Sequence, residues 1–268
     1  MKEKFQQYAE QLRDEVTDEG FKLDFIARFV VIWTLLTRIP LPQALWPARM
    51  PAGNRCLALS PLAGGLLGLL AGLLMAALRL AGFSNLVAAW LAVAFYAVSG
   101  WVLHLDGWGD LWDGMGSGKR GEELRSVMKD SRLGSFGAVG LILACGLWTS
   151  LASSIDGARA IAALAAAGAC GRFASCAAAF SGRYPWESGM AKGWVDGFTG
   201  YDLFTAFICL LFFLPPAPFS WLCSAALAAA AGTLAAVRMN SRLGGTNGDV
   251  LGACEVAAEL LTLGVFSL

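Results

Sequence analysis

Charge is scarce in this 268-residue chain: Asp, Glu, Lys and Arg together make up 15% of it, and their signs cancel to a formal net charge of zero. Without a basic excess there is no general attraction to phosphate backbones, so a nucleic-acid partner is not expected. Histidine occurs once, at His104, and the seven cysteines include no C-x-x-C pair. Most of them sit inside apolar runs and read as small buried hydrophobes, which argues against a zinc site or a disulfide framework. A signal peptide is not expected either, because residues 1–22 carry charge throughout and the first apolar run comes too late. What the chain has in excess is apolar side chains, at 57%, well above the usual share in a soluble domain.

The apolar residues fall into long runs. Seven segments reach or approach the ~20 residues that a bilayer core requires: 59–79, 84–103, 136–154, 160–180, 201–217, 219–237 and 250–268, with a tight turn at P-P-A-P (215–218). Ala and Gly crowd the second half, which lets helices approach closely and predicts a compact bundle without a wide pore. Phe5, Tyr8 and Leu12 have helical spacing, so residues 1–24 read as an amphipathic extension lying at an interface. Residues 25–36 are apolar but short, and T-R-I-P-L-P ends them, since Pro40 and Pro42 deny continued helix. Residues 43–58 read as a loop. The fold expected is therefore all-α: a polytopic integral membrane helical bundle of about seven spans over 25–268, with the lipid bilayer as its partner. Under seven spans, Arg79 and Arg159 fall on one side, Arg172 lies within a span, and every other Lys and Arg shares the opposite side. That side should be cytoplasmic.

Between the apolar runs lies one long polar stretch, His104–Gly137, which contains H-L-D-G-W-G-D-L-W-D-G and M-K-D-S-R-L-G-S-F-G. Asp106, Asp110 and Asp113 are spaced four and then three residues apart, so a helix places all three carboxylates on one face. Stacked acids repel one another unless a cation sits among them, and hard oxygen ligands suit Mg2+. The alternative is a solvated acidic helix face. In the same stretch, Asp130 and Arg132 precede glycines that permit close backbone approach to a ligand.

Further polar residues stand near span ends. R-L-G-G-T-N-G-D places Gly244, Gly245 and Gly248 before the last span, where their N–H groups can meet an anion. Asp249 there is either a helix N-cap or part of a site. Glu255 and Glu259 lie one turn apart inside an apolar span, where carboxylates are costly unless paired, and Arg172 is an available partner. In the loop S-G-R-Y-P-W-E-S-G-M-A-K-G-W-V-D-G, Arg183 and Lys192 could bind phosphate, and Trp186 and Trp194 could pack on a ring system or anchor the interface. His104, beside the acids, is a candidate base or ligand.

Taken together, T-R-I-P-L-P (37–42), S-P-L-A-G-G-L-L-G (60–68), the blocks at 104–114 and 128–137, and L-G-G-T-N-G-D-V-L-G-A (243–253) followed by E-x-x-x-E resemble the cobalamin synthase family. These membrane enzymes are also called adenosylcobinamide-GDP ribazoletransferases. The resemblance covers most of the chain from residue 25 on. It implies a transferase of the bacterial inner membrane that joins alpha-ribazole, or its 5'-phosphate, to adenosylcobinamide-GDP and releases GMP, with Mg2+ as cofactor. On that footing Asp106, Asp110 and Asp113 are the expected metal ligands, with Asp130 and Asp249 as possible further ones, and Arg132 with the Gly244–Gly248 turn holds phosphate. The base is one of the aspartates or His104. Homo-oligomerisation is left open. Two rivals are a CDP-alcohol phosphotransferase, whose motif needs Ala-Arg where this chain has D-G-W-G-D, and a transporter, for which the repeated halves are missing.

Overall fold

The computed structural model describes residues 20–213 and 218–268, and every regular element among them is helical. The first helix, α1 (Gly20–Leu36), stops just before Pro40 and Pro42, whose rings can neither donate an N–H nor continue the helix. Of the extension expected over residues 1–24, residues 1–19 lie outside the described residues, and its expected boundary at 24/25 falls inside α1. The loop expected over 43–58 contains a 3-10 turn (Gln43–Leu45) and a short helix, α2 (Gly53–Leu57). Next come α3 (Ser60–Leu80), α4 (Asn85–Ser99), α5 (Leu103–Gly116), α6 (Gly121–Met128), α7 (Ser135–Ser154) and α8 (Gly157–Ser181). The chain closes with α9 (Lys192–Val195), α10 (Gly200–Leu211), α11 (Pro218–Arg242) and α12 (Gly248–Ser267).

Five helical stretches are long and apolar enough to cross a membrane: Gly53–Leu80, Ser135–Ser154, Gly157–Ser181, Pro218–Arg242 and Gly248–Ser267. The pair α4 and α5 passes the same test jointly but is bent by 91°. Of the seven expected segments, 84–103 is helical in one direction only to Ser99, and 201–217 forms a helix of 12 residues, short of the ~20 a bilayer core requires.

The bundle is built around α8. Its most apolar stretch is 89% buried, against 33% for α7 and for α11. Such burial suits a helix made mostly of Ala, Gly, Ser and Cys, which offers no bulk on any side. Gly64, Gly68 and Gly72 recur every fourth residue on one face of α3 and lie against Gly168, Leu164 and Ile161 of α8. A Cβ on Gly72 would stand 2.9 Å from the Ile161 Cα, so the stripe decides how closely the two helices pack. Large apolar side chains such as Ile142 (α7), Phe204 (α10), Leu222 and Leu234 (α11) point outward, as a surface facing lipid requires.

Candidate active site

The corner between α4 and α5 aims the motif helix. Trp101 and Val102 both hold φ at 60°, a left-handed conformation that is a genuine outlier for a branched residue. Strain of this kind persists only where the surroundings enforce it. Here the Val102 N–H donates to Ala97 O at 2.9 Å and the Arg38 N–H donates to Ser99 O at 2.7 Å. The Arg38 guanidinium also lies 4.6 Å from the Trp101 ring centre, so T-R-I-P-L-P clamps the corner. From it α5 runs across the end of the bundle at 91° to α4.

The glycines of the motif permit close packing. A Cβ on Gly107 would come within 2.8 Å of the Asp249 Cα, and one on Gly252 within 3.1 Å of the His104 Cα. The α5 backbone therefore lies directly on the first turns of α12. That approach brings Asp106 and Asp249 onto the wall of one cavity, of about 310 Å3, together with His104, Asn247 and Glu255. Asp110 is half-buried nearby. Burial first, then the charges of Asp249, Asp106 and Asp113, push its carboxyl up to about 7.

Asp113 turns elsewhere. Its two oxygens accept the N–H groups of Gly134 and Gly137, each at 2.8 Å, and so satisfy donors left free at the start of α7. A side chain on either glycine would collide with that carboxylate, which explains why the blocks at 104–114 and 128–137 go together. Asp130 and Arg132 pair with each other at 2.6 Å on the exposed connection before α7, and the Arg132 hydrogen bonds hold the Asp130 carboxyl down at about 2. They do not line the cavity. Nor do Arg183, whose side chain is exposed, or Lys192, which pairs with Asp196 at 2.7 Å.

In the turn before α12, Gly244 has φ 86°, and the Thr246 N–H donates to Arg183 O at 2.8 Å. Gly245 packs against the Arg183–Pro185 backbone, while Gly248 lines the cavity. The N-cap of α12 is Asn247: its side chain accepts from Val250 N at 3.0 Å and donates to Asp249 at 2.8 Å. Asp249 is thereby released from capping.

Beneath the cavity the intramembrane charges find one another. Arg172 lies 2.6 Å from Glu255 and 2.7 Å from Glu259, with all three almost fully buried. His104 Nδ1 lies 2.8 Å from Glu255, and the Tyr96 hydroxyl bonds to Glu259 and Arg172. Arg38, Tyr96 and Asn247 carry site geometry that the motif reading had not assigned. Tyr96 was visible as a polar aromatic in an apolar run, and Asn247 as a favoured N-cap type directly before the last one.

Among the described residues, no three His, Cys, Asp or Glu side chains converge into a finished metal site. The donor chemistry nonetheless fits a hard cation: Asp106 and Asp249 are carboxylates on one cavity wall with the Asp110 carboxylate close enough to feel both charges, and a divalent ion with phosphate and water completing its shell would relieve that crowding.

The family model described as Cobalamin-5-phosphate synthase matches residues 28–267. A protein of Sinorhizobium sp named adenosylcobinamide-GDP ribazoletransferase is 32% identical over 261 residues, covering 93% of this chain and 99% of its own. One of Rhizobium meliloti with the same name is 33% identical over 258 residues, covering 91% and 96%. No solved structure matches. The matched stretch contains the strained corner, the motif helix and the Asn247-capped final helix, and on it the chain belongs to the cobalamin-5-phosphate synthase family.

Proposed function

We propose that this protein joins alpha-ribazole, or its 5'-phosphate, to adenosylcobinamide-GDP, giving adenosylcobalamin or its 5'-phosphate and GMP. The observation that carries the reading, beside the family match over 28–267, is the meeting of Asp106 and Asp249, from two different helices, on one nucleoside-sized cavity. In the reaction a ribose hydroxyl oxygen bonds to the phosphorus next to cobinamide. The bond from that phosphorus to the GMP oxygen breaks, and the hydroxyl loses its proton. A transfer of this kind needs charge neutralisation and an aligned hydroxyl more than covalent help from the protein.

Asp106, Asp110 and Asp249 would hold Mg2+, with Asp113 anchoring the helix that presents them. When bound there, the ion supplies neutralisation of the phosphate oxygens. His104, fixed through Nδ1 by Glu255, keeps Nε2 as the ring nitrogen free to take the hydroxyl proton. The setting is the bacterial inner membrane, with the polar end of the bundle facing the cytoplasm. This is supported by the collection of Lys and Arg on the segments around the cavity.

The test is GMP release by purified protein supplied with adenosylcobinamide-GDP, Mg2+ and either form of ribazole. Asp106→Asn and Asp110→Asn should each lower turnover at least ~1,000-fold, as loss of a group stabilising transition-state charge does. Mg2+ should raise the unfolding temperature of the wild type but not of Asp110→Asn. Absence of GMP, or normal turnover in both variants, refutes the assignment.

A further inference from the structure

The cavity beside Asp106 and Asp249 has walls of opposite chemistry. The wall from α5 and α12 is polar. The facing wall is apolar, made by Leu35 and Leu36 of α1, Leu57 of α2 and Trp194 of α9. Trp194 packs against the buried cluster that contains Leu36, and Tyr184 and Trp186, edge to face at 5.5 Å, complete the rim. The two serines that reach the cavity already have partners: Ser60 meets Cys176 Sγ at 3.5 Å, and Ser175 donates to Leu251 O at 2.8 Å. Leu35, Leu36 and Leu57 offer no donor or acceptor, so a polar base edge facing them would go unpaired.

We propose that the cavity seats the incoming nucleoside, its base against the apolar wall and its ribose towards the carboxylates, and that Leu35, Leu36 and Trp194 select an apolar base. The inference rests on the reaction proposed above. Three features support it. At about 310 Å3 the space lies at the small end of ligand pockets (~300–1,000 Å3), a size that suits one nucleoside better than a corrin macrocycle. Guanine, the other base in the reaction, carries hydrogen-bonding groups along its edge that the apolar wall leaves unmatched, whereas benzimidazole presents hydrocarbon there. Aromatic side chains at the rim offer faces and edges to a flat ring.

The experiment uses the full chain in phospholipid nanodiscs and measures GMP release with alpha-ribazole or with the alpha-linked adenine nucleoside. Wild type is expected to prefer alpha-ribazole at least tenfold in kcat/KM. Leu35→Asn should reduce kcat/KM for alpha-ribazole about tenfold, a size typical of a changed apolar contact. It should move the adenine nucleoside less than threefold and leave the KM for adenosylcobinamide-GDP unchanged. In wild type, free dimethylbenzimidazole should compete with alpha-ribazole and guanosine should not, which decides the matter even if the variant fails to fold. An unchanged preference in a folded Leu35→Asn overturns the proposal, as does dimethylbenzimidazole competing with adenosylcobinamide-GDP instead. If wild type releases no GMP at all, the reaction falls separately. Quenching of tryptophan fluorescence by alpha-ribazole alone, weakened in Leu35→Asn, then still upholds the seat, and its absence removes it.

Discussion

Replacing Arg172 with Met should be among the most damaging single changes in the chain. The guanidinium sits 2.6 Å from Glu255 and 2.7 Å from Glu259, with side-chain exposures of 2% for Arg172 and Glu255 and 6% for Glu259. With an effective dielectric of ~20, each contact contributes about 6 kcal/mol of attraction. Desolvating three ions offsets most of that, so the intact cluster adds little net stability. Removing only the cation is different, because two buried carboxylates are left one helical turn apart with only the His104 ring and the Tyr96 hydroxyl as partners. Breaking a buried pair in this way costs about 3–5 kcal/mol, or roughly 10 °C in unfolding temperature. Adding Glu255→Gln and Glu259→Gln to Arg172→Met removes the orphaned charges and should recover at least half of the loss. Thermal unfolding of the purified variants in one detergent, followed by tryptophan fluorescence, measures both steps. If Arg172→Met unfolds within about 1 kcal/mol of wild type, or the triple variant is no more stable than the single one, the cluster is not desolvated and the reasoning fails.

Three other outcomes follow from the geometry. Asp113→Ala strips two charge-assisted acceptors from the start of α7 and should cost about 2–4 kcal/mol, while Asp113→Asn, which keeps one acceptor, should lose about half as much; equal losses in an unfolding titration would exclude the two-bond anchor. Gly68→Val inserts a side chain where the Leu164 carbonyl of α8 already lies, forcing the two helices apart at a cost above ~3 kcal/mol, and normal yield and stability of that variant would show that the stripe is not a close contact. Arg132→Ala removes only an exposed pair with Asp130 that stands off the cavity, so its unfolding temperature and its kcat/KM for adenosylcobinamide-GDP should both stay close to wild type; a tenfold fall in kcat/KM would show that Arg132 reaches the substrate.

Much of this was legible in the chain itself, because burial and pairing follow from residue type. Long apolar runs can only bury themselves in lipid or in one another, so an all-helical membrane bundle was readable from composition and run length. The costs of isolated charge likewise marked Arg172, Glu255 and Glu259 as mutual partners. The spacing of Asp106, Asp110 and Asp113 was enough to put them on one helical face, and the motif blocks were enough to suggest the family.

Distances between segments far apart in sequence were not readable, since they depend on which backbones can touch. Gly107 against Asp249 is such a contact, and it exists because two glycine-bearing helices meet without side chains between them. Only the folded molecule separates Asp113, turned to the start of α7, from Asp106, which shares a cavity wall with Asp249. Composition and spacing determined the environment and the candidate chemistry. Tertiary packing decided which carboxylates face one space, because a side chain's direction is set by the helix it rides on and the neighbour that fixes that helix.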